Sequence, residues 1–131
     1  MNDTKCHCGC GLDITNQMRI ILRNIESAMQ KEITSNYQLN VTCGARCAKH
    51  NAEVGGVPNS AHIAGEAGDI GLATSHERFL FLKIVFSIGI SRIEDRLLNH
   101  SYIHIDRATG VVPIPTDTLR EYPQEVFIVL P

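Results

Sequence analysis

Apolar side chains recur at helical spacing early in the chain. Met18, Ile21, Leu22, Ile25, Met29 and Ile33 fall on one stripe, which predicts an amphipathic helix over residues 16–33, capped by Thr15 or Asn16. The period then changes. Residues 38–42 alternate, with Leu39 and Val41 inward, and read as a short strand. Residues 44–68 keep neither period. They hold Gly44, Gly55, Gly56, Pro58, Gly65 and Gly68, and a long irregular stretch of this kind usually carries function. Residues 69–72 read as a strand. Thr74 and Glu77 have capping-box spacing ahead of a second helix, which runs through Phe79, Leu80, Leu82, Lys83 and Phe86 to a stop near Gly89. Residues 90–93, 102–106 and 126–130 read as further strands, with a turn at Ala108, Thr109 and Gly110. The later strands are joined by turns rather than helices, so the expected class is α+β, an antiparallel sheet with helices packed on it.

Composition narrows the function classes. Of 131 residues, 44% are hydrophobic and 20% charged, which suits one soluble core and a single domain over residues 1–131. A formal net charge of −2 offers no basic face for nucleic acid, and no apolar run is long enough to cross a bilayer. Residues 1–6 lack the apolar core of a signal peptide, so cytoplasmic synthesis is expected, and a monomer is favoured.

Two short runs gather chemistry. In residues 60–69, Ser60, His62 and Asp69 are separated by small residues and two glycines, so a neutral imidazole and a carboxylate can fold back toward one point, as a zinc ion requires. In residues 101–106, strand alternation turns Ile103 and Ile105 to the core and Tyr102, His104 and Asp106 to the other face. Asp106 then either orients His104 or acts directly. The five cysteines are Cys6, Cys8, Cys10, Cys43 and Cys47, an odd number whose spacing is not that of a zinc ribbon. A disulfide from Cys8 or Cys10 to Cys47, a second, structural zinc and free buried thiols are the three readings. His50 and Asn51 read as residues that hold the loop by hydrogen bonds, and His76 as exposed at a helix start. His7 matters only if the cysteines bind metal. Arg19, Arg23, Glu26 and Lys31 read as a solvated helix face.

Taken together, the runs resemble the zinc D-Ala-D-Ala carboxypeptidase family and its hedgehog-type fold. Residues 60–69 match every fixed position of that family's S-x-H-x-x-G-x-A-x-D, and His104-Ile105-Asp106 matches its H-x-D form. Residues 43–56 are similar to its S-G-Y-R-C-x-x-H-N-x-x-V-G-G run, and residues 6–11 to the C-x-C-G-C-G segment with which such members often begin. The resemblance implies zinc on His62, Asp69 and His104, with water in the fourth position at a pKa of about 7. It implies that Arg46 faces the developing oxyanion or the substrate carboxylate, and that Ser60 hydrogen-bonds substrate. Tyr102, on the same strand face as His104, reads equally as a substrate contact or as a packing residue. The implied substrate is a peptidoglycan stem peptide, cut at a D-Ala-D-Ala or an L-Ala-D-Glu bond, with action on the cell wall after lysis-linked release.

The sequence departs from that pattern at three places. Cys43 and Ala45 stand where the family has Ser and Tyr, and Ser101 stands where many relatives carry a general-base glutamate. Asp106 is the substitute candidate for the base, with Glu94, Asp95 and His100 behind it. A zinc-containing domain that binds cell-wall peptide or a protein partner with little or no turnover is the alternative. A cysteine-rich module for nucleic acid is disfavoured by the charge.

Overall fold

Thr15 begins the first helix by accepting a hydrogen bond from the Met18 N–H at 3.2 Å. Helix α1 spans Asn16–Glu32 and buries Met18, Leu22, Ile25 and Met29. Ile33, expected on the same stripe, is the C-terminal cap and is exposed. The fold is that of a computed structural model, which describes residues 1–90, 92–96, 102–107 and 126–129. Two of the charges on α1 do more than face solvent. Glu26 accepts from the Leu39 N–H at 2.9 Å and pairs with the N-terminal ammonium, and Arg19 pairs with Asp13 at 2.6 Å.

Strand β1 is Val41–Cys43, with Leu39 and Val41 both buried as expected. The irregular stretch that follows contains one short helix, α2 at Ala48–Glu53, which its sequence does not announce. Strand β2 is Ala67–Gly71, and α3 runs Ser75–Ser87. Thr74 caps the helix as expected: its Oγ1 accepts from the Glu77 N–H at 3.0 Å, while the Glu77 carboxylate reaches back one residue beyond the cap and accepts from the Ala73 N–H at 3.0 Å. Strands β3 at Arg92–Arg96, β4 at Tyr102–Asp106 and β5 at Val126–Val129 complete the described residues. The expected turn at 108–110 lies outside them.

The sheet has the order β1-β2-β4-β3-β5. Its first four strands are antiparallel neighbours, as the α+β reading requires. The last pair is not: β5 runs parallel to β3. Strand β4 runs back against β3, so the next described strand along the chain enters in the direction of β3 and takes the edge beside it, with nineteen residues between Asp106 and Val126. The core packs α1 and α3 on one face of the sheet. Leu80, Phe81, Ile84 and Val85 of α3 join the α1 stripe against Ile70, Ile93, Ile103 and Ile105. Strand alternation therefore leaves the opposite face for polar groups.

Candidate functional site

Register builds that face. Asp69 on β2 lies directly opposite His104 on β4, which lies opposite Glu94 on β3. Two residues along, Ala67, Asp106 and Arg92 form the neighbouring row. Directly opposed side chains share a face at about 5 Å between Cβ atoms. On β1 a bulge intervenes: Val41 pairs with Ile70, but Cys43 pairs with Asp69. Without it Cys43 would share the core face with Val41. The extra residue turns it to the polar face instead.

His62 arrives from the loop. The Nδ1–H of its ring donates to the Gly44 carbonyl at 2.6 Å, which leaves Nε2 facing Asp69 Oδ1 at 3.3 Å. His104 presents Nδ1 to the same oxygen at 2.8 Å and Nε2 to Asp106 Oδ2 at 2.8 Å. The two rings stand edge to face, 5.1 Å between centroids. Gly65 makes the loop possible. Its φ is +70°, and a Cβ there would meet the Asp13 carbonyl at 3.0 Å. The Thr15 N–H donates to the Gly65 carbonyl at 3.0 Å, so the start of α1 holds the loop against the sheet.

Of the three sequence-predicted ligands, His62 and His104 both approach one oxygen of Asp69, and all are less than one-tenth exposed; Cys43, His62 and Asp69 form the group whose donor atoms all lie within 4.8 Å of one another. Two imidazole nitrogens and a carboxylate oxygen are a donor set that suits zinc, and in a tetrahedron with bonds of about 2.05 Å neighbouring donors lie about 3.3 Å apart. The His62–Asp69 separation of 3.3 Å is on that scale, and the 2.8 Å between His104 and Asp69 is that of a hydrogen bond. Each histidine also has its other nitrogen fixed by an oxygen, the arrangement that orients metal-binding imidazoles. Electrostatics agree. Burial would raise the Asp69 carboxyl, but the His104 and His62 rings hold it well below the usual range. Burial would lower His62, yet Asp69 and Cys43 push it up to about 10. His104 is raised as well, by Asp106 and Asp69 against its burial. A fixed negative charge that draws protons onto two buried imidazoles is a place where a divalent cation would displace those protons.

Arg46 lies beside this cluster. Its backbone N–H donates to the His62 carbonyl at 3.0 Å; its guanidinium donates to Asn51 Oδ1 at 3.1 Å and to Cys43 Sγ at 3.2 Å. Asn51 in turn donates to the Val57 carbonyl at 2.9 Å, so it does hold the loop. Gly56 leaves room for this contact: a Cβ there would sit 2.2 Å from Asn51 Oδ1 and 2.8 Å from Arg46. Ser60 Oγ accepts from the His62 N–H at 3.2 Å. Tyr102 is half-buried at the end of β4, on the face that carries His104.

Asp106 is buried behind His104. One oxygen accepts from His104, and the other lies 3.7 Å from Arg92 Nε. Asp95 belongs to the opposite face, where it pairs with Arg78 of α3. Glu94 is buried on the site face beside His104. His100 and Ser101 lie outside the described residues.

Sequence reasoning placed all five cysteines in one group. The structure divides them. Cys43 sits at the Nδ1 edge of His62, 3.7 Å away, because of the β1 bulge; its thiol is held below its usual range by His62 and Arg46 against burial. Cys6, Cys8, Cys10 and Cys47 cluster elsewhere; none of the five cysteines is bridged, and of these four only Cys6 is buried. Arg92, fully buried next to Asp106, also escaped the sequence reading, since an arginine in a strand carries no motif.

A family model described as Peptidase M15 matches residues 3–106, which takes in every residue of both clusters. Comparison with curated proteins gives no match.

Proposed function

The chain belongs to the peptidase M15 family, and we propose that it acts as a single-domain, zinc-dependent peptidase on peptidoglycan stem peptides. One observation carries the reading: two buried imidazoles approach the same oxygen of Asp69, and each is held at its other nitrogen by an oxygen. Bound zinc supplies a Lewis acid that polarises a peptide carbonyl and activates water near neutral pH. His62, Asp69 and His104 are the ligands on this reading.

The remaining roles belong to the chain's own groups. Arg46, tied to the His62 backbone, offers positive charge to an oxyanion or a terminal carboxylate. Ser60 and Tyr102 flank the ligands as substrate contacts. Asp106 has two possible parts, orienting His104 or taking the proton from water. Its contacts to His104 and Arg92 favour the first. Glu94, on the same face one strand over, is then the carboxylate better disposed to act as base. Action follows lysis-linked release to the cell wall, with cleavage at D-Ala-D-Ala or L-Ala-D-Glu.

The test is mass spectrometry of purified stem peptides incubated with zinc-loaded and chelator-treated protein. Loss of a terminal D-Ala, or a cut between L-Ala and D-Glu, only in the zinc-loaded sample supports the reading. Intact peptide beside zinc-loaded protein overturns it in favour of a zinc-containing binding domain.

A further inference from the structure

The second cluster lies away from the proposed ligands. The sulfur atoms of Cys6, Cys8, Cys10 and Cys47 all lie within 4.8 Å of one another. Cys6 Sγ is 3.4 Å from Cys8 Sγ, and Cys8 Sγ is 3.6 Å from Cys47 Sγ. A disulfide needs about 2.05 Å between sulfurs. A tetrahedral zinc thiolate site with bonds of about 2.3 Å needs neighbouring sulfurs about 3.8 Å apart. The observed spacing matches the second and not the first.

The backbone is arranged for thiolates too. The Cys47 N–H donates to Cys6 Sγ at 3.3 Å, and the His50 N–H donates to Cys47 Sγ at 3.3 Å. Four thiolates around a divalent ion leave a net charge of about −2, and N–H donors on sulfur offset part of it. Residues 6–12 close on themselves, with the Cys6 N–H donating to the Leu12 carbonyl at 2.8 Å and the Gly9 N–H to the Cys6 carbonyl at 3.3 Å. That turn brings three cysteines of one segment to a single point, and Cys47 comes from 41 residues along the chain.

We propose that Cys6, Cys8, Cys10 and Cys47 form a closed, structural zinc site. Four protein donors leave no open position, so the ion does no chemistry. Its work is positional. It fastens the N-terminal segment to the residue next to Arg46, where the Ala45 N–H already donates to the Thr4 carbonyl at 2.9 Å. The loop that carries Arg46 is thereby held from one side by the cysteine site and from the other by His62. The inference stands independently of the peptidase reading, since it uses none of the proposed catalytic ligands.

The test is elemental analysis of the full chain together with cobalt(II) substitution. About two zinc ions per chain are expected in the wild type, and about one in His62→Ala and in Cys8→Ser. Cobalt-loaded wild type and His62→Ala should both show intense near-ultraviolet sulfur-to-cobalt charge transfer, and Cys8→Ser should lose it. The wild-type and His62→Ala spectra decide the matter even if Cys8→Ser does not fold. One zinc per chain that vanishes entirely in His62→Ala, with no such charge transfer, overturns the proposal. So does a native mass lower by two hydrogens per bridge, which would mark disulfides. Zinc retained at the cysteines with none at His62 would keep this inference and end the peptidase reading.

Discussion

The two donor clusters lie on either side of the loop that carries Arg46, and they contrast in donors, burial and scaffold. The sheet cluster takes nitrogen and oxygen donors from two strands and the loop before β2 and is nearly buried. The cysteine cluster takes only sulfur, from a turn and a helix cap, and leaves Cys8 and Cys10 exposed. The first gathers three proposed ligands backed by oxygen partners on the next layer. The second gathers four and is backed by backbone N–H groups. Three donors leave a coordination position for a reactant, and four do not. Rigid strands suit the site where a small displacement costs rate, whereas a turn is adequate where the ion itself supplies the rigidity.

Five experiments press on that contrast. His62→Ala should have the largest effect: peptide hydrolysis falls to background and the sheet zinc is lost, with circular dichroism unchanged and the cysteine site intact. Glu94→Gln should lower kcat by about 10²- to 10⁴-fold with zinc content unchanged, as loss of a general base does; normal kcat in this variant would return the base to Asp106. Arg46→Ala should lower kcat/KM by about 10²- to 10³-fold, the usual cost of removing one oxyanion partner. Asp106→Asn should weaken zinc binding by about 10- to 100-fold, read by competition with a chelator, as loss of an imidazole-orienting carboxylate does.

The smallest effect concerns the segment between the clusters. Burial raises the Asp13 carboxyl, but the Thr4 hydroxyl, the Ile14 N–H and Arg19 outweigh it and hold it below its ordinary range. Glu26 is lowered in the same sense by the N-terminal ammonium and the Leu39 N–H. A folded-state pKa below the unfolded one adds stability that is complete above about pH 5 and is lost as pH falls through the folded value. Thermal unfolding of Asp13→Asn should therefore show a loss of about 1 kcal/mol near neutral pH that shrinks in acid. A loss that is equal at both pH values would detach the effect from the carboxylate.

Much of this was legible along the chain. Helix α1, the Thr74–Glu77 box, strand β4 and the inward turn of Ile103 and Ile105 follow from local periodicity and capping, which act over a few residues. The run from Ser60 to Asp69 and the pair His104 and Asp106 were legible as candidate ligands because zinc demands those side chains, and the glycines between them signal close packing. The M15 peptidase family match spans residues 3–106, which include both runs.

Other features depend on what comes from a distance. Helix α2 is too short for a periodic signal. The parallel pairing of β5 depends on which edge of the sheet the returning chain meets. Cys43 is the clearest case. Its spacing from Val41 assigns it to the core, and a single bulge against β2 moves it beside His62. The row from Asp69 through His104 to Glu94 exists only because β4 lies between β2 and β3, a register that no one strand contains. The sequence by itself determined which residue types were present to bind a metal and which local elements carry them. Tertiary structure alone decided which of them meet, because strand order, register and loop docking are set by contacts between segments far apart in the chain.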